Sequence, residues 1–327
     1  MKKIVIISIL LLIPGINKAQ FFSGNPLAHT YSIVARDPEK GEMGAAVQSH
    51  WFSVGSVVIW AEAGIGAVAT QSFVNVSFGI RGLELLKSGL TPQQVVDTLI
   101  SSDEGREFRQ LAVIDVKNKP ASYTGKNCIP SAGNIIGDNF SVQANLMLND
   151  KVWPAMEKAF REAKGPLAER MIAALEAAEN EGGDIRGKQS AAIVVVKGKS
   201  TGKVWEDRLI DLRVEDNPDP VAELKRLLKV HRAYDHMNAG DLAVEKGNME
   251  LAMKEYSAAE KMFPENEEMK YWHAVTLANN GKVEDSLPLF KEVFSANENW
   301  RTLTSRLPKV KLLTVSEEHL NKILSVK

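Results

Sequence analysis

The 327-residue chain has one cysteine, Cys128, which excludes an intramolecular disulfide framework and a cysteine-built zinc site. It lacks an excess of either charge. Lys and Arg total 40 against 41 Asp and Glu, so no global field draws in nucleic acid or an anionic surface. The six histidines, His29, His50, His231, His236, His273 and His319, show no HxH or HxxxH spacing, which argues against a metal site. The GxxxxGK[ST] spacing of a phosphate loop is also missing. Long apolar runs are absent apart from residues 4–13. What remains is ordinary: 44% apolar and 25% charged residues describe a globular chain rather than a disordered or many-span one. Without disulfides, burial must hold the core, and this length can bury enough.

The one apolar run follows Lys2 and Lys3 and ends at Pro14-Gly15, with Ala19 as a small residue before a cut. That layout predicts an export signal over residues 1–19, a mature start at Gln20, and a periplasmic or extracellular location. The run is short of the roughly 20 residues a membrane span needs, so no span is expected once the leader is removed.

From Thr30 the residues alternate as strands do, and Asp37-Pro38 to Gly41-Glu42 reads as the turn of a hairpin returning over Gly44–Ser49. Ser56–Trp60 and Ile65–Thr70 read as two further strands. Ile80, Leu83, Leu86 and Leu90 share a helical face. Thr91 with Pro92 opens a second helix through Ile100. Strand patterns return at Leu111–Val116, Ala121–Thr124 and Phe140–Ala144. Helices over Trp153–Phe160 and Leu167–Ala178 follow, then strands at Ser190–Val196 and Trp205–Val214. This order predicts an α+β fold: a four-layer αββα sandwich, two face-to-face sheets with a helix pair outside each. Short turns between the opening strands argue against a doubly wound parallel sheet.

Val221–His231 reads as an amphipathic helix, and everything beyond residue 231 as helical. Gly247 and Gly281 stand 34 residues apart, and the same offset relates Tyr256 to Phe290, the period of a tetratricopeptide repeat. The first unit carries Gly240, Gly247, Ala252, Tyr256, Ala259 and Pro264 in fitting places; the second is degenerate at His273, Ser286, Val293 and Glu298. An unrelated helical hairpin is the competing reading. Such repeats dock a peptide or partner chain and do no chemistry themselves.

Four separated stretches are distinctive in combination: Thr30-Tyr-Ser-Ile-Val-Ala-Arg-Asp37-Pro, Gly66-Ala-Val-Ala-Thr-Gln71-Ser-Phe-Val-Asn75, Arg81-Gly-Leu-Glu-Leu-Leu, and Gly182-Gly-Asp-Ile-Arg-Gly-Lys-Gln-Ser-Ala191. With Asn217-Pro-Asp-Pro-Val221 they resemble the bacterial family DUF1028, a domain of unknown function, over residues 29–231. The resemblance implies the N-terminal-nucleophile (Ntn) hydrolase superfold. It supplies no substrate or reaction. The expected organisation is a leader at 1–19, a DUF1028 domain at 29–231 and a repeat-like helical domain at 232–327.

In that superfold the first residue of the mature chain attacks an amide, with its own α-amine as base. The residue at the matching strand start is Thr30. Removal of residues 1–19 would still leave ten residues ahead of it. Either a second cut exposes Thr30, or it is a β-branched strand residue. Asp37, with Arg36 and Ser49, belongs to the flanking hairpin; Asp37 is equally a turn former. Thr70, Gln71, Ser72 and Asn75 follow a strand and could bind a carbonyl or oxyanion; Ser72 or Asn75 could instead cap a helix. Asp184 and Arg186, in a glycine-rich turn, could hold a substrate amine and carboxylate or simply each other. Gln189 and Ser190 could join them, and Trp51 and Phe52 could form an apolar lip. Cys128 has no activating base nearby in sequence and reads as buried filler. The expectation is that Thr30, Asp37, Thr70, Gln71, Asn75, Asp184 and Arg186 share one cleft. The ligand would be a small amide or peptide; no cofactor, metal or nucleic acid is implied. The two functions in contention are an exported amide hydrolase and a non-catalytic binding domain whose tail docks a protein or peptide.

Overall fold

A computed structural model describes residues 27–327. The expected leader at 1–19 lies outside the described residues. The chain divides into two units, one reaching Pro220 and the other Val221–Lys327.

The first unit is mixed α+β. Strands β1 (Thr30–Asp37) and β2 (Glu42–Ser49) form the expected hairpin. Its turn is fixed by Asp37, whose Oδ1 accepts from the amides of Glu39 (3.0 Å) and Lys40 (3.1 Å), and by Gly41 at φ +64°. Strands β3 (Ile59–Glu62) and β4 (Gly66–Ser72) lead into helices α1 (Ser77–Lys87) and α2 (Pro92–Ser101). Thr91 caps α2 with a full capping box to Gln94 and Pro92 in the first turn, as its sequence dictates. Then come β5 (Arg109–Asp115), β6 (Ala121–Thr124), β7 (Gly133–Ile136), β8 (Phe140–Ala144), α3 (Val152–Glu162), α4 (Leu167–Asn180), β9 (Ser190–Lys197), the single turn α5 (Val204–Asp207) and β10 (Arg208–Val214).

Two antiparallel sheets result, six-stranded β10-β9-β2-β1-β8-β7 and four-stranded β3-β4-β5-β6. Helices α1 and α2 pack on the smaller sheet, α3 and α4 on the larger, and the strands of the two sheets meet face to face. The period-2 alternation decides what lies between them. Val34, Met43, Ala45, Val47, Ala67, Ala69, Ala112, Ile114 and Val194 fill one half of the interface. Val68, Leu111 and Val113 point the other way, under α1 and α2.

Some boundaries differ from the sequence pattern. Val54–Ser56 is a tight 3-10 turn, so β3 starts at Ile59 rather than Ser56. Trp205 lies in α5 and is 78% exposed, so β10 starts at Arg208. β7 has no period-2 apolar signature and was not expected.

The second unit is built from helices. Helix α6 (Pro220–Glu245) runs unbroken through residue 232, where the end of the expected helix Val221–His231 had placed the domain boundary, because neither Gly nor Pro interrupts residues 221–239. It is followed by α7 (Met249–Met262), α8 (Glu267–Asn279), α9 (Val283–Ala296), α10 (Asn299–Arg306) and α11 (Glu317–Leu324). Gly247 and Gly281 both sit at positive φ, +70° and +76°, in the turns before α7 and α9. A Cβ on Gly240 would lie 2.7 Å from the buried Tyr256 ring, so α6 and α7 touch at a point only glycine allows. Among the described residues no helix is long and apolar enough to cross a membrane.

Candidate functional site

Thr30 is fully buried at the start of β1. Its hydroxyl donates to the Ala28 carbonyl at 2.8 Å. The carbonyl of His29, on the peptide bond just before Thr30, receives two donors: Ser49 Oγ at 2.6 Å and Arg186 Nη2 at 2.8 Å. Ser49 arrives there because the antiparallel register pairs it with Thr30. Arg186 is held by Asp184, whose carboxylate takes Nε at 3.0 Å and Nη2 at 2.8 Å and also the His50 amide at 3.2 Å. The Asp184 side chain is fully buried, so the guanidinium is fixed before it meets any ligand. The glycine-rich turn makes this fit: Gly182, Gly183 and Gly187 all have positive φ.

Behind Thr30 the space between the sheets is polar rather than apolar. Gln71 Nε2 donates to the Thr30 carbonyl (3.1 Å) and to Gln110 Oε1 (2.6 Å). Ser32 Oγ donates to Gln71 Oε1 at 2.5 Å and accepts from Gln143 Nε2 at 2.6 Å. Asn145 Nδ2 donates to Gln110 Oε1 (3.0 Å) and to the Thr30 carbonyl (3.3 Å). Its Oδ1 stands 2.8 Å from His29 Nδ1. With the Asn145 amide donating elsewhere, the His29 ring must carry its proton on Nδ1. Burial lowers the His29 pKa below 6.5, against the Asn145 bond; the Arg186 charge lowers it further and Asp184 opposes. All these groups are buried, and a satisfied network of this kind fixes the stacking of the sheets.

Thr30, Gln71, Asp184 and Arg186 therefore lie together at one end of the sheets, but Thr30 and Gln71 are fully buried there rather than lining the open cleft that was expected. Thr70 is next to Gln71 and equally buried but lies on the opposite face of β4, the one covered by helices, and its hydroxyl donates to the Asn75 carbonyl at 3.2 Å. Asn75 Oδ1 accepts from the Ser77 amide at 3.2 Å, at the start of α1, so the capping alternative describes it. Asp37 does not join them. It ends β1 seven residues on, about 23 Å away at roughly 3.3 Å per residue. There it makes the hairpin turn and borders an open cleft of about 630 Å³ with Lys40, Lys197 and Lys199. Arg36 is structural: it donates to the carbonyls of Asp115 (2.9 Å) and Asn118 (2.8 Å). Ser190 ties down the loop after β2 through the Val54 amide, 3.1 Å, and Gln189 reaches Asp216 at 3.2 Å. Trp51 packs on the inter-sheet core while Phe52 is exposed. Cys128 is buried, which raises its pKa, and its Sγ lies 3.4 Å from the Arg109 carbonyl. Among the described residues no His, Cys, Asp or Glu cluster is arranged to hold a metal ion.

Sequence reasoning missed Gln110, Gln143, Asn145 and the His29 ring. The one sequence clue was polar residues falling on the inward parity of β5 and β8.

A mixed α+β unit of two stacked antiparallel sheets, with a polar end around Thr30 and a helical C-terminal region, is thus the class of protein defined. The chain belongs to the DUF1028 family, a family of unknown function, whose match spans residues 30–224. It is similar to the crystal structure of the DUF1028 protein SPO2555 from Silicibacter pomeroyi, with 29% identity and a TM-score of 0.56 over 62% of this chain and 88% of that one. No functionally curated protein matches it.

Proposed function

We propose that the protein is an exported amide hydrolase of the Ntn type, acting on a small peptide or amidated amino acid once removal of residues through His29 frees the Thr30 amine. The two sheets with their helix pairs fit the four-layer sandwich of that superfold. The observation that carries the reading is the pair of donors, Ser49 Oγ and Arg186 Nη2, on the carbonyl immediately before Thr30. Donors fixed on an acyl oxygen stabilise the charge that develops there during attack. The free Thr30 amine would take the hydroxyl proton as Oγ1 bonds to the acyl carbon. The C–N bond then breaks, the proton passes to the leaving nitrogen, and water hydrolyses the ester to restore Thr30. The test is the mature N-terminus by mass spectrometry, followed by turnover on an amide panel. A chain starting at Thr30 that hydrolyses amides is the expected result; a chain starting at Gln20 with no turnover would end the proposal.

A second reading is favoured by one observation. Thr30 is fully buried and its hydroxyl is committed to the Ala28 carbonyl. A domain retaining residues 20–29 would be a non-catalytic binding module. In either case the tail is read as tetratricopeptide-like, docking a protein or peptide. The 34-residue offset between the two positive-φ turn glycines supports that.

A further inference from the structure

The residues just ahead of Thr30 are built into the domain as a ligand would be. Ala28 is fully buried and His29 is 4% exposed. The Ala28 carbonyl accepts from the Ser72 amide at 2.9 Å, and the His29 carbonyl from Ser49 and Arg186. The His29 imidazole fills a slot with Phe73 on one side, edge to face at 5.2 Å, and Asn145 Oδ1 on Nδ1. Phe73 is itself backed edge to face by Phe108 at 5.6 Å. Asn145 cannot turn to offer a donor, because its Nδ2 is held by Gln110 and by the Thr30 carbonyl.

From this we infer that the His29 slot is the acyl side-chain subsite of the enzyme, selecting amides of an N-acylated histidine whose preceding residue is small. The inference rests on the hydrolase reading above, and it names the substrate class for that same site. Departure of Leu27–His29 would leave a groove with its polar groups already placed: an amide donor for the preceding carbonyl, two donors for the scissile carbonyl, and one fixed acceptor for a ring N–H. A planar ring carrying an N–H satisfies Asn145 Oδ1. An aliphatic side chain leaves that buried oxygen unpaired, and a carboxylate meets it lone pair to lone pair. At the preceding position Ala28 is fully buried within the apolar inter-sheet cluster, which favours a small apolar side chain there. Hydrolysis would form the Thr30 Oγ1–acyl bond, break the histidyl C–N bond, release the amine with the proton, and let water free the N-acyl histidine.

The test uses the chain cut ahead of Thr30, so that Thr30 is the first residue and residues 30–327 are kept. Acetyl-Ala-His anilide is compared with the Ala, Phe and Glu analogues, and with a histidyl anilide methylated on Nδ1. The expected kcat/KM for the histidyl substrate is about tenfold or more above the others, since one buried hydrogen bond is at stake. Methylation of Nδ1 should abolish that advantage. Turnover at equal rates on all of them overturns the inference and leaves the hydrolase reading standing. If nothing is turned over, the hydrolase reading fails, and calorimetry with unreactive acetyl-Ala-His-amide decides the slot. Binding weakened about tenfold by Nδ1 methylation upholds the slot; no binding, or binding indifferent to methylation, overturns it.

Discussion

The Arg186 guanidinium stands 2.8 Å from the carbonyl oxygen of His29, a residue 157 positions earlier in the chain. Asp184 fixes the guanidinium and the β1–β2 register brings Ser49 to the same oxygen, so two donors share one acceptor. In the proposed reaction that oxygen marks where negative charge appears. Ser49→Ala removes one of the donors at little steric cost. It should lower kcat of the Thr30-started protein by about 100-fold, the effect of losing one oxyanion donor. Arg186→Lys keeps the charge but loses the planar fork that reaches both Asp184 and the carbonyl, and should cost at least as much. Steady-state kinetics on any hydrolysed amide checks both. Unchanged kcat in both variants would remove these groups from the reaction.

Thr30 itself gives a sharper expectation. Thr30→Ala should abolish turnover, because the covalent route is lost, while Thr30→Ser should retain part of it. Thermal unfolding should separate chemistry from folding. In the chain that still carries residue 28, Thr30→Ala loses one methyl and a hydrogen bond to Ala28, about 1–2 kcal/mol, and the domain remains folded. A Thr30→Ala protein with full turnover would exclude Thr30 as nucleophile.

Most of the elements were legible because their local chemistry agrees with their final place. Thr91-Pro92 announces α2, and Asp37 with Gly41 announces the β1–β2 turn. The gathering of Thr30, Gln71, Asp184 and Arg186 followed from reading several motifs as one site. Asp37 was misplaced because a strand start and a strand end can carry motifs of the same family yet point to opposite ends of the sheet. The glutamine and asparagine network was hidden for another reason. Gln110, Gln143 and Asn145 sit on inward positions where a sequence pattern predicts apolar residues, and only pairing across the sheets gives their amides partners.

Buried charge near the site offers a stability test. Arg109 Nε lies 2.8 Å from Asp103 Oδ2, with the Arg109 side chain buried and that of Asp103 partly so, and Arg109 also donates to the Phe73 carbonyl. Burial works to raise the Asp103 pKa, but the bonds from Arg109, Gly105 and Asn75 outweigh it and hold it below 3.8. The pair therefore contributes stability above about pH 4 and loses it as pH falls through the lower folded value. Asp103→Asn leaves the Arg109 charge unbalanced and should cost about 3 kcal/mol at pH 7 by urea unfolding, with a smaller difference from the wild type in acid. A cost independent of pH would show that the ion pair is not its source.

In the helical unit, Gly240 and Gly247 separate two uses of glycine. Gly240→Val would drive a side chain into the Tyr256 ring, whose hydroxyl is tied to Asp241 at 2.5 Å, and should destabilise by about 2 kcal/mol through overpacking. Around Gly247 there is open space, so Gly247→Ala meets only the strain of φ +70° and should cost about 1 kcal/mol. Urea unfolding followed by the tryptophans of the unit, Trp272 and Trp300, reads both. Equal costs would mean that α6 and α7 do not approach as closely at Gly240 as described.

The depressed pKa of His29 predicts a pH dependence of its own. Burial lowers it first, and the Arg186 cation adds to that, outweighing the Asn145 bond and Asp184. In the unfolded chain the ring takes up a proton near pH 6.5, while in the folded chain it stays neutral to lower pH. Below pH 6.5 the unfolded state therefore binds more protons, and stability falls as pH drops from 6.5 through the folded value. Above pH 7.5 both states hold a neutral ring and His29 contributes no slope. His29→Gln keeps a donor for Asn145 but cannot titrate, so its stability should fall less between pH 7.5 and 5 than that of the full-length wild type. Urea midpoints at the two pH values, in paired measurements, isolate this one histidine from the other five. Equal losses in the two proteins would mean that His29 reaches solvent in the folded chain. That would contradict the closed slot, since a ring free to protonate could not be sealed between Phe73 and Asn145.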